Sequence, residues 1–423
     1  MKKENRMTQT SKNWSHLYIM HKDRRVATIY RTGKCTIYYS SFMPYNLYLE
    51  AEDDLDTRLN NLNNFYYWCS SRLLTLDRKY AKEILNSIGA MQAITDKDRA
   101  DIAISYHCLS LTDVYWIKLF REDLDFDRIS LYRHSLSNAF ADVSLRGVLT
   151  VQNADLIDDR DVAGDIGTQG VAPKAWIRGE DGFYLYKDGD PRDVEAELLA
   201  SRIVDCFDIS HVSYTRDTFS GVTVSKCRIV TSEDVGIVPF EHVSIYCENH
   251  NRDPLDFVLR RDPYDYYMMN IIDYLIGNTD RHWGNWGFSV DNATNKLKQL
   301  YPLMDFNKSF LSYNTTDGAK CLARGTGFSQ KDAALEAVKK VGLNRISEID
   351  PGWFSDSAAR QMFFTRLNLL EEAAGDTPTI LSLSSDLSVT SSFGATLVTE
   401  HEYDNSETGF TVTYDTSEGM LSE

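Results

Sequence analysis

The chain has 423 residues, a formal net charge of −17 and seven scattered cysteines. This length leaves room for two or three domains of ordinary size. Because no Lys/Arg cluster runs along the chain and no CxxC pair occurs, neither duplex nucleic-acid binding nor a zinc or redox centre is predicted.

The first predicted unit, residues 1–150, is an N-terminal module of strands followed by helices. The pieces HLYIMH, RVATIYR and CTIYYSSF alternate as strands do, and apolar residues recur at helical spacing from Leu59 to about Ile104. The start of the chain is basic without an apolar run after it, and no uncharged stretch approaches the ~20 residues of a membrane span. We therefore expect a cytoplasmic protein without a membrane span, with secretion by a non-classical route left open.

Residues 151–252 are predicted to form a lobe that covers a nucleotide. The loop DVAGDIGTQGVAPKAWI carries glycines ahead of a strand, and a second strand, GFYLYK, leads into a helix that starts near Pro191. Backbone N–H groups of such a loop can cradle phosphates, so Gly167 and Gly170 are candidate nucleotide-binding positions. Two further strands, SHVSYTR and GVTVSKCRIVTS, follow the helix.

Residues 253–375 are predicted to be a helical lobe, and residues 376–423 an acidic tail. The long apolar helix PYDYYMMNIIDYLI ends at Gly277, and two short strands, NWGFSV and KLKQLYPLMDF, precede further helices. Eleven Asp or Glu residues and no Lys or Arg follow Arg366. We interpret the last segment as a disordered tail, with a hairpin of ATLVTEHEYD and GFTVTYD beneath a partner as the alternative.

The stretch GNTDRHWGNWGF, which follows the long helix, carries the residues for phosphoryl transfer. Asp280 and Asn285 are five residues apart on this loop, and Asp305 follows after the two short strands. Phosphoryl transfer needs one carboxylate that orients the attacking hydroxyl, and an amide oxygen with a second carboxylate to hold Mg²⁺. The spacing D-x-x-x-x-N supplies the first two groups, and the aspartate of MDF supplies the third.

A lysine that holds the α- and β-phosphates, and a glutamate that positions it, complete this set of residues. Lys187, at the end of FYLYK, and Glu197, on the following helix, are the candidates. Lys174 and Glu195 stay as their alternatives, because the register of a strand or helix cannot be fixed from sequence.

Other residues of the catalytic stretch are expected to have structural roles. His282 is predicted to orient the loop through a hydrogen bond to its backbone rather than to transfer a proton. Trp283, Trp286 and Phe288 are predicted to pack in the core beneath the loop.

Together, GVAPKAW, FYLYK, VEAELLASRI, GNTDRHWGNWGF and LYPLMDF resemble the HipA-like family of serine/threonine kinases. The resemblance covers about residues 150–375 and implies an α+β, two-lobed protein-kinase-like fold preceded by the β-rich and helical N-terminal module. It implies ATP and Mg²⁺ as cofactors, Asp280 as the catalytic aspartate, and Lys187 as an ATP contact. It also implies that Asn285 and Asp305 are the Mg²⁺ ligands.

The chain departs from the family pattern at two places. Asn307 stands where protein kinases have a glycine after Asp-Phe, and the loop reads GDIGTQG. A serine of this loop can be autophosphorylated in the family, and Thr168 is the hydroxyl residue that the resemblance offers for this modification.

These features predict an ATP- and Mg²⁺-dependent serine/threonine protein kinase that acts on a protein substrate and can phosphorylate itself. Some family members are toxins beside a DNA-binding antitoxin, so an antitoxin or regulatory partner is a further expectation, whereas direct nucleic-acid contact is not expected. Two alternatives stay open, namely a pseudokinase that binds a partner and a metal-dependent phosphohydrolase that uses Asp280, His282 and Asp305.

Overall fold

The computed structural model describes residues 14–87, 95–133, 144–145, 173–187, 190–311, 313–325 and 327–375. These ranges form a mixed α/β structure with three antiparallel sheets. Gly167, Thr168 and Gly170 of the glycine-bearing loop, and the predicted acidic tail, lie outside the described residues. Among the described residues, no helix combines the length and the apolar character that crossing a membrane requires.

Residues 14–133, here called the N-terminal part, contain a four-stranded sheet in the order β3-β2-β1-β4. Its strands are β1 (His16–His21), β2 (Arg24–Tyr30), β3 (Cys35–Ile37) and β4 (Tyr115–Leu119). The helices of this part are α1 (Leu55–Ser70), α2 (Ala81–Ser87), α3 (Asp96–Ser105) and α4 (Phe126–Ile129). The alternation of β1 turns Leu17 and Ile19 to one face of the sheet, where they share a buried core with Phe65 and Trp68 of α1. The predicted strands HLYIMH and RVATIYR and the predicted helical segments are present here, whereas CTIYYSSF is a strand only over Cys35–Ile37.

A second four-stranded sheet has the order β5-β6-β8-β7 and packs against one helix. Its strands are β5 (Lys174–Gly179), β6 (Gly182–Lys187), β7 (Tyr214–Phe219) and β8 (Val222–Arg228), and the helix is α5 (Pro191–Val204). Helix α5 begins as predicted, because the Asp190 side chain accepts a hydrogen bond from the N–H of Arg192 (2.9 Å) and Pro191 lies in the first turn. Glu197 lies on its buried face.

The remaining residues are mostly helical and surround a three-stranded sheet in the order β11-β10-β9. The strands are β9 (Val235–Pro239), β10 (Gly287–Asp291) and β11 (Lys296–Leu300). The helices are α6 (Phe240–Asn249), α7 (Pro254–Arg261), α8 (Pro263–Ile276), α9 (Gln330–Val341) and α10 (Ser357–Ala374). Helix α8 is almost wholly buried and ends at Gly277, which has a left-handed φ of +61°. A Cβ at Gly277 would lie 2.5 Å from Cδ2 of Tyr313, so the predicted helix end is confirmed and only glycine fits there.

The three-stranded sheet spans the predicted domain limit between residues 252 and 253. Strand β9 precedes this limit, yet Val238 of β9 pairs with Phe288 of β10, which follows it. Sheet membership depends on which strands meet in space, and a sequence reading by segments does not contain that information. The predicted domain limits stay predictions.

The turn between β10 and β11 holds the N-terminal part through Asn295. This residue is buried and has a left-handed φ of +58°. Its Nδ2 donates to the carbonyls of Ser41 (3.0 Å) and Met43 (3.1 Å), and its Oδ1 accepts from the Tyr115 hydroxyl (3.0 Å). The Tyr45 hydroxyl donates to the Asn295 carbonyl (2.9 Å). One side chain thus joins segments that are more than 150 residues apart in sequence.

We expect Asn295→Ala to lower the free energy of unfolding by about 2 kcal/mol, because buried partners of the amide lose their hydrogen bonds. Urea unfolding followed by fluorescence measures this change. The control is Asn249→Ala, an exposed asparagine whose amide donates to the Ile245 carbonyl, which we expect to shift stability by less than ~0.5 kcal/mol. Equal losses in both variants would contradict the docking role of Asn295.

Candidate active site

The loop after α8 is held by a buried ion pair that the sequence analysis missed. The Arg281 guanidinium donates from Nε to Oδ2 of Asp273 (2.9 Å) and from Nη2 to Oδ1 (3.1 Å). Its Nη1 donates to the carbonyls of Asn285 (2.9 Å) and Met304 (2.6 Å). Arg281 therefore connects α8, both ends of the loop and the segment that leads to Asp305. The residue that could have revealed this ion pair from the sequence is Asp273, because a carboxylate within an apolar helix needs a cation beside it.

Side-chain amides fix the backbone of the same loop. Oδ1 of Asn278 accepts from the N–H of Asp280 (3.1 Å), and its Nδ2 donates to the carbonyl of Asp305 (3.3 Å). Nδ2 of Asn285 donates to the carbonyl of Asp280 (2.8 Å). Gln330 donates from α9 to the carbonyl of Asn278 (2.5 Å). These bonds use the nitrogen of the Asn285 amide and leave its oxygen as an acceptor.

The carboxylate of Asp280 accepts no hydrogen bond from any described residue. Burial raises the pKa of this carboxyl; the nearby His282 ring opposes the shift, and the charge of Asp305 adds to it. A half-buried carboxylate with unused acceptor sites can take a proton from a hydroxyl group placed against it.

Lys187, Glu197 and Asp305 meet although they come from three separate segments. The Lys187 ammonium, at the end of β6, donates to Oε1 of Glu197 (2.6 Å) and to Oδ1 of Asp305 (2.8 Å). Ser225 of β8 donates its hydroxyl to the other oxygen of Glu197. The side chains are 8% (Lys187), 1% (Glu197) and 21% (Asp305) exposed.

The charges of this cluster shift the pKa of both ends of the ion pair. Burial alone would lower the pKa of the Lys187 ammonium, but Asp305 and Glu197 outweigh it and hold this pKa well above its usual value. Burial alone would raise the pKa of Asp305, but the charges of Lys187 and Lys174 hold it well below its usual range. The Lys187 ammonium and the Asp305 carboxylate therefore stay charged at neutral pH.

Asp305 has an unusual backbone conformation for a residue with a side chain. Its φ is +63°, in the left-handed region, and its N–H donates to the Tyr214 hydroxyl (3.1 Å). The Lys187 ammonium lies 5.0 Å from the centroid of the Tyr214 ring. Such a backbone costs about 1–3 kcal/mol and persists where surrounding contacts fix it, often at functional sites.

The two alternatives from the sequence do not form this ion pair. Glu195 pairs with Arg216 of β7, and both side chains are more than half exposed. Lys174 is the first residue of β5 and lies opposite Lys187 in the strand register. It is buried, and burial lowers the pKa of its ammonium to about 8. The ion pair with a helix glutamate is thus made by Lys187 and Glu197.

The structural predictions for the aromatic stretch hold in part. Nδ1 of His282 accepts a hydrogen bond from the N–H of Gly284 (3.1 Å), as predicted for a loop-orienting residue. Trp286 and Phe288 are buried. The prediction for Trp283 is wrong, because 40% of it is exposed and its indole N–H donates to the Leu322 carbonyl (3.2 Å). A loop tip turns successive aromatic residues in different directions, which sequence spacing does not reveal.

A cavity of about 900 Å³ lies beside these groups. Its lining includes Lys187, Asp305, Asp280 and Asn285, together with Lys174. This volume is within the range of pockets that bind nucleotide-sized ligands. Asn285 and Asp305 present an amide and a carboxylate to this space, and oxygen donors of these kinds suit Mg²⁺.

No protein-family model matches the sequence, and no curated protein matches it. Among solved structures, HipA from the Shewanella oneidensis MR-1 toxin–antitoxin complex with HipB and operator DNA is similar, with a TM-score of 0.52 and 12% identity. That match covers 85% of this chain and 99% of that chain. The fold of this chain is therefore similar to that of HipA.

A second similar structure is the Helicobacter pylori proinflammatory kinase CtkA, with a TM-score of 0.35 and 15% identity, over 51% of this chain and 95% of that chain. The likeness in fold rests on the match to HipA alone. That match reaches beyond the residues that carry the sequence resemblance, since 150–375 make up only about half of the chain.

We expect Arg281→Ala to lower the free energy of unfolding by about 3–5 kcal/mol, because Asp273 would keep a buried charge without its partner. Chemical denaturation measures the loss. The control is Arg260→Ala on α7, whose exposed pair with Asp256 should contribute less than ~1 kcal/mol. A loss for Arg281→Ala as small as that of the control would show that the loop does not depend on this ion pair.

Proposed function

We propose that the protein is a two-lobed, ATP- and Mg²⁺-dependent serine/threonine protein kinase. The observation that carries this proposal is the ion-pair cluster of Lys187, Glu197 and Asp305, which puts Lys187 and Asp305 on the wall of the cavity that Asp280 and Asn285 line. Each group matches a part of the phosphoryl-transfer machinery, and the kinase-like fold supports the same assignment.

In this proposal Lys187 holds the α- and β-phosphates of ATP, and Glu197 positions the ammonium. Asn285 and Asp305 would hold Mg²⁺, which would neutralise charge on the phosphates when bound. Gly167 and Gly170 are proposed to contact the phosphates through their backbone N–H groups. Thr168 of the same loop stays the proposed autophosphorylation site.

Asp280 is proposed to orient the acceptor hydroxyl and take its proton. The hydroxyl oxygen bonds to the γ-phosphorus while the bond from that phosphorus to the bridging oxygen breaks, and ADP leaves on the opposite side. The raised pKa of Asp280 and its free acceptor sites among the described residues support this role.

A partner protein is also proposed. The similar Shewanella HipA was solved with HipB and operator DNA, so an antitoxin-like or regulatory protein is the proposed partner of this chain. A protein with an acceptor serine or threonine is the proposed substrate, and the cytoplasm is the proposed location.

The proposed role of Asp280 is tested by a labelling assay. Purified wild type, Asp280→Ala and Asp280→Asn are each incubated with γ-labelled ATP, Mg²⁺ and casein or myelin basic protein. We expect both variants to label protein at least about 100-fold more slowly, because a positioned base typically contributes 10²–10⁴ to the rate. The control is Asp256→Ala on the exposed face of α7, which should keep the wild-type rate. Phosphosite mapping then identifies the acceptor residues.

Two outcomes of this assay would replace the kinase proposal. Nucleotide binding without any labelling by the wild type would favour the pseudokinase alternative. Release of phosphate from ATP without transfer to protein would favour the phosphohydrolase alternative.

Measurements of nucleotide affinity distinguish which of Lys187 and Lys174 contacts the phosphates. We expect Lys187→Met to weaken ATP binding by about tenfold or more, because a charge-assisted contact to phosphate is lost. Isothermal titration calorimetry of Lys187→Met and Lys174→Met measures the two contributions. Lys226→Met on β8 is the matched control, since its ammonium lies over Tyr184 and pairs with Asp217 away from the cavity. A loss confined to Lys174→Met would transfer the phosphate contact to Lys174.

A further inference from the structure

The N-terminal part contributes a wall to the proposed nucleotide cavity. The turn between α1 and α2 brings Thr75, Asp77 and Lys79 to the same cavity that Lys187 lines. Arg78 lies at the centre of this turn and is only 2% exposed. An arginine is rarely this buried unless its guanidinium has partners, so the direction of its side chain carries information.

Arg78 reaches out of the N-terminal part to the backbone of β5. Its Nη2 donates a hydrogen bond to the carbonyl of Lys174, 96 residues further along the chain. Lys174 is the first residue of β5, and its register partner is Lys187. This hydrogen bond therefore joins the N-terminal part to Lys174, the residue that pairs across the strands with Lys187, the lysine proposed to hold the phosphates.

The charges near Lys174 show what this contact does electrostatically. Burial lowers the pKa of the Lys174 ammonium to about 8; the charges of Lys187 and Arg78 lower it as well, while Asp305 and Glu197 raise it. The pKa of the Lys174 ammonium therefore depends on where Arg78 and Lys187 lie relative to it.

We propose that Arg78 is a positioning residue for the nucleotide site. Through the Lys174 carbonyl it holds the first residue of β5, and so fixes where the Lys174 ammonium lies beside Lys187. The guanidinium suits this role because it is planar and always charged. The inference rests on the proposed function and gives the N-terminal part a role in nucleotide affinity.

Arg78→Ala and Arg78→Lys test the proposal through the separation of KM from kcat. We expect Arg78→Ala to raise the Kd and KM for ATP with Mg²⁺ about tenfold, a typical effect of losing a hydrogen bond from a charged group, and to leave kcat within about twofold. Arg78→Lys keeps a cation that can donate to a carbonyl, so we expect it to restore part of the affinity.

The matched control is Arg133→Ala. Arg133 also joins the N-terminal part to the rest of the chain, through Glu233 (2.8 and 2.9 Å), but it does not reach β5. This variant loosens the attachment of the N-terminal part and should leave the Kd for ATP unchanged. Equal losses of affinity in Arg78→Ala and Arg133→Ala would overturn the proposal, because attachment in general would then be the cause.

A second measurement does not require ATP binding. Competitive acylation of the amines over a range of pH, read by mass spectrometry, gives the pKa of Lys174. Removal of the Arg78 charge and entry of water should raise this pKa from about 8 towards the ordinary value of about 10.4. An unchanged Lys174 pKa in Arg78→Ala overturns the positioning role, whatever the kinetics.

The two measurements also separate failure of the inference from failure of the proposed function. If wild type binds no ATP, the proposed function fails, and the Lys174 pKa alone decides whether Arg78 positions β5. If wild type binds ATP, the inference requires that both the Kd and the Lys174 pKa change in Arg78→Ala. A change in only one of the two overturns it.

Discussion

The buried ammonium of Lys187 organises the candidate site, because a cation at this depth requires carboxylates close to it. Glu197 and Asp305 meet that requirement at 2.6 and 2.8 Å. Each carboxylate is supplied by a different segment, so the charge can be satisfied only if β6, α5 and the segment after β11 come together. Desolvating these groups costs several kcal/mol per ion, and the arrangement is therefore stable only while all three are present. Lys187 and Asp305 also line the cavity, and Glu197 lies buried behind them, so the contact that joins these three segments also shapes the site.

A second buried ion pair supports the loop after α8. Arg281 and Asp273 join the loop to α8, whose other residues are mostly apolar and packed in the largest core. The loop backbone is then fixed by amides of Asn278, Asn285 and Gln330. The Asp280 carboxylate, which lines the cavity, takes no part in these bonds, a common arrangement where a group must be held ready for a ligand. The Arg281–Asp273 pair thus holds the loop on its α8 side, and Asp280 and Asn285 line the cavity on the other.

The sequence predicts local features of this structure well and long-range pairing poorly. Pro191, Gly277 and the alternation of β1 act on neighbouring residues, and the helices and strands that they predict are present. The choice between Lys187 and Lys174 depends on which strand end faces α5, and the role of Arg281 depends on its distance from Asp273 in space. Neither of these spatial relations produces a repeating pattern in the sequence. The likeness to HipA also covers more of the chain than the motifs do, because a sheet tolerates many residues of one polarity class while a catalytic loop needs particular side chains.

Asn295 gives one hairpin turn an unusual place in protein engineering. Turns between adjacent strands are ordinarily good positions for an affinity tag, a fluorophore or an inserted domain, since they are exposed and make few contacts. The β10–β11 turn is instead occupied by contacts to Ser41, Met43 and Tyr115, so an insertion there would separate the N-terminal part from its support. The β7–β8 turn is the better choice for such an insertion, because a Cβ at Gly221 would meet no atom within 4 Å; Gly221 itself has a left-handed φ of +82° and should be kept.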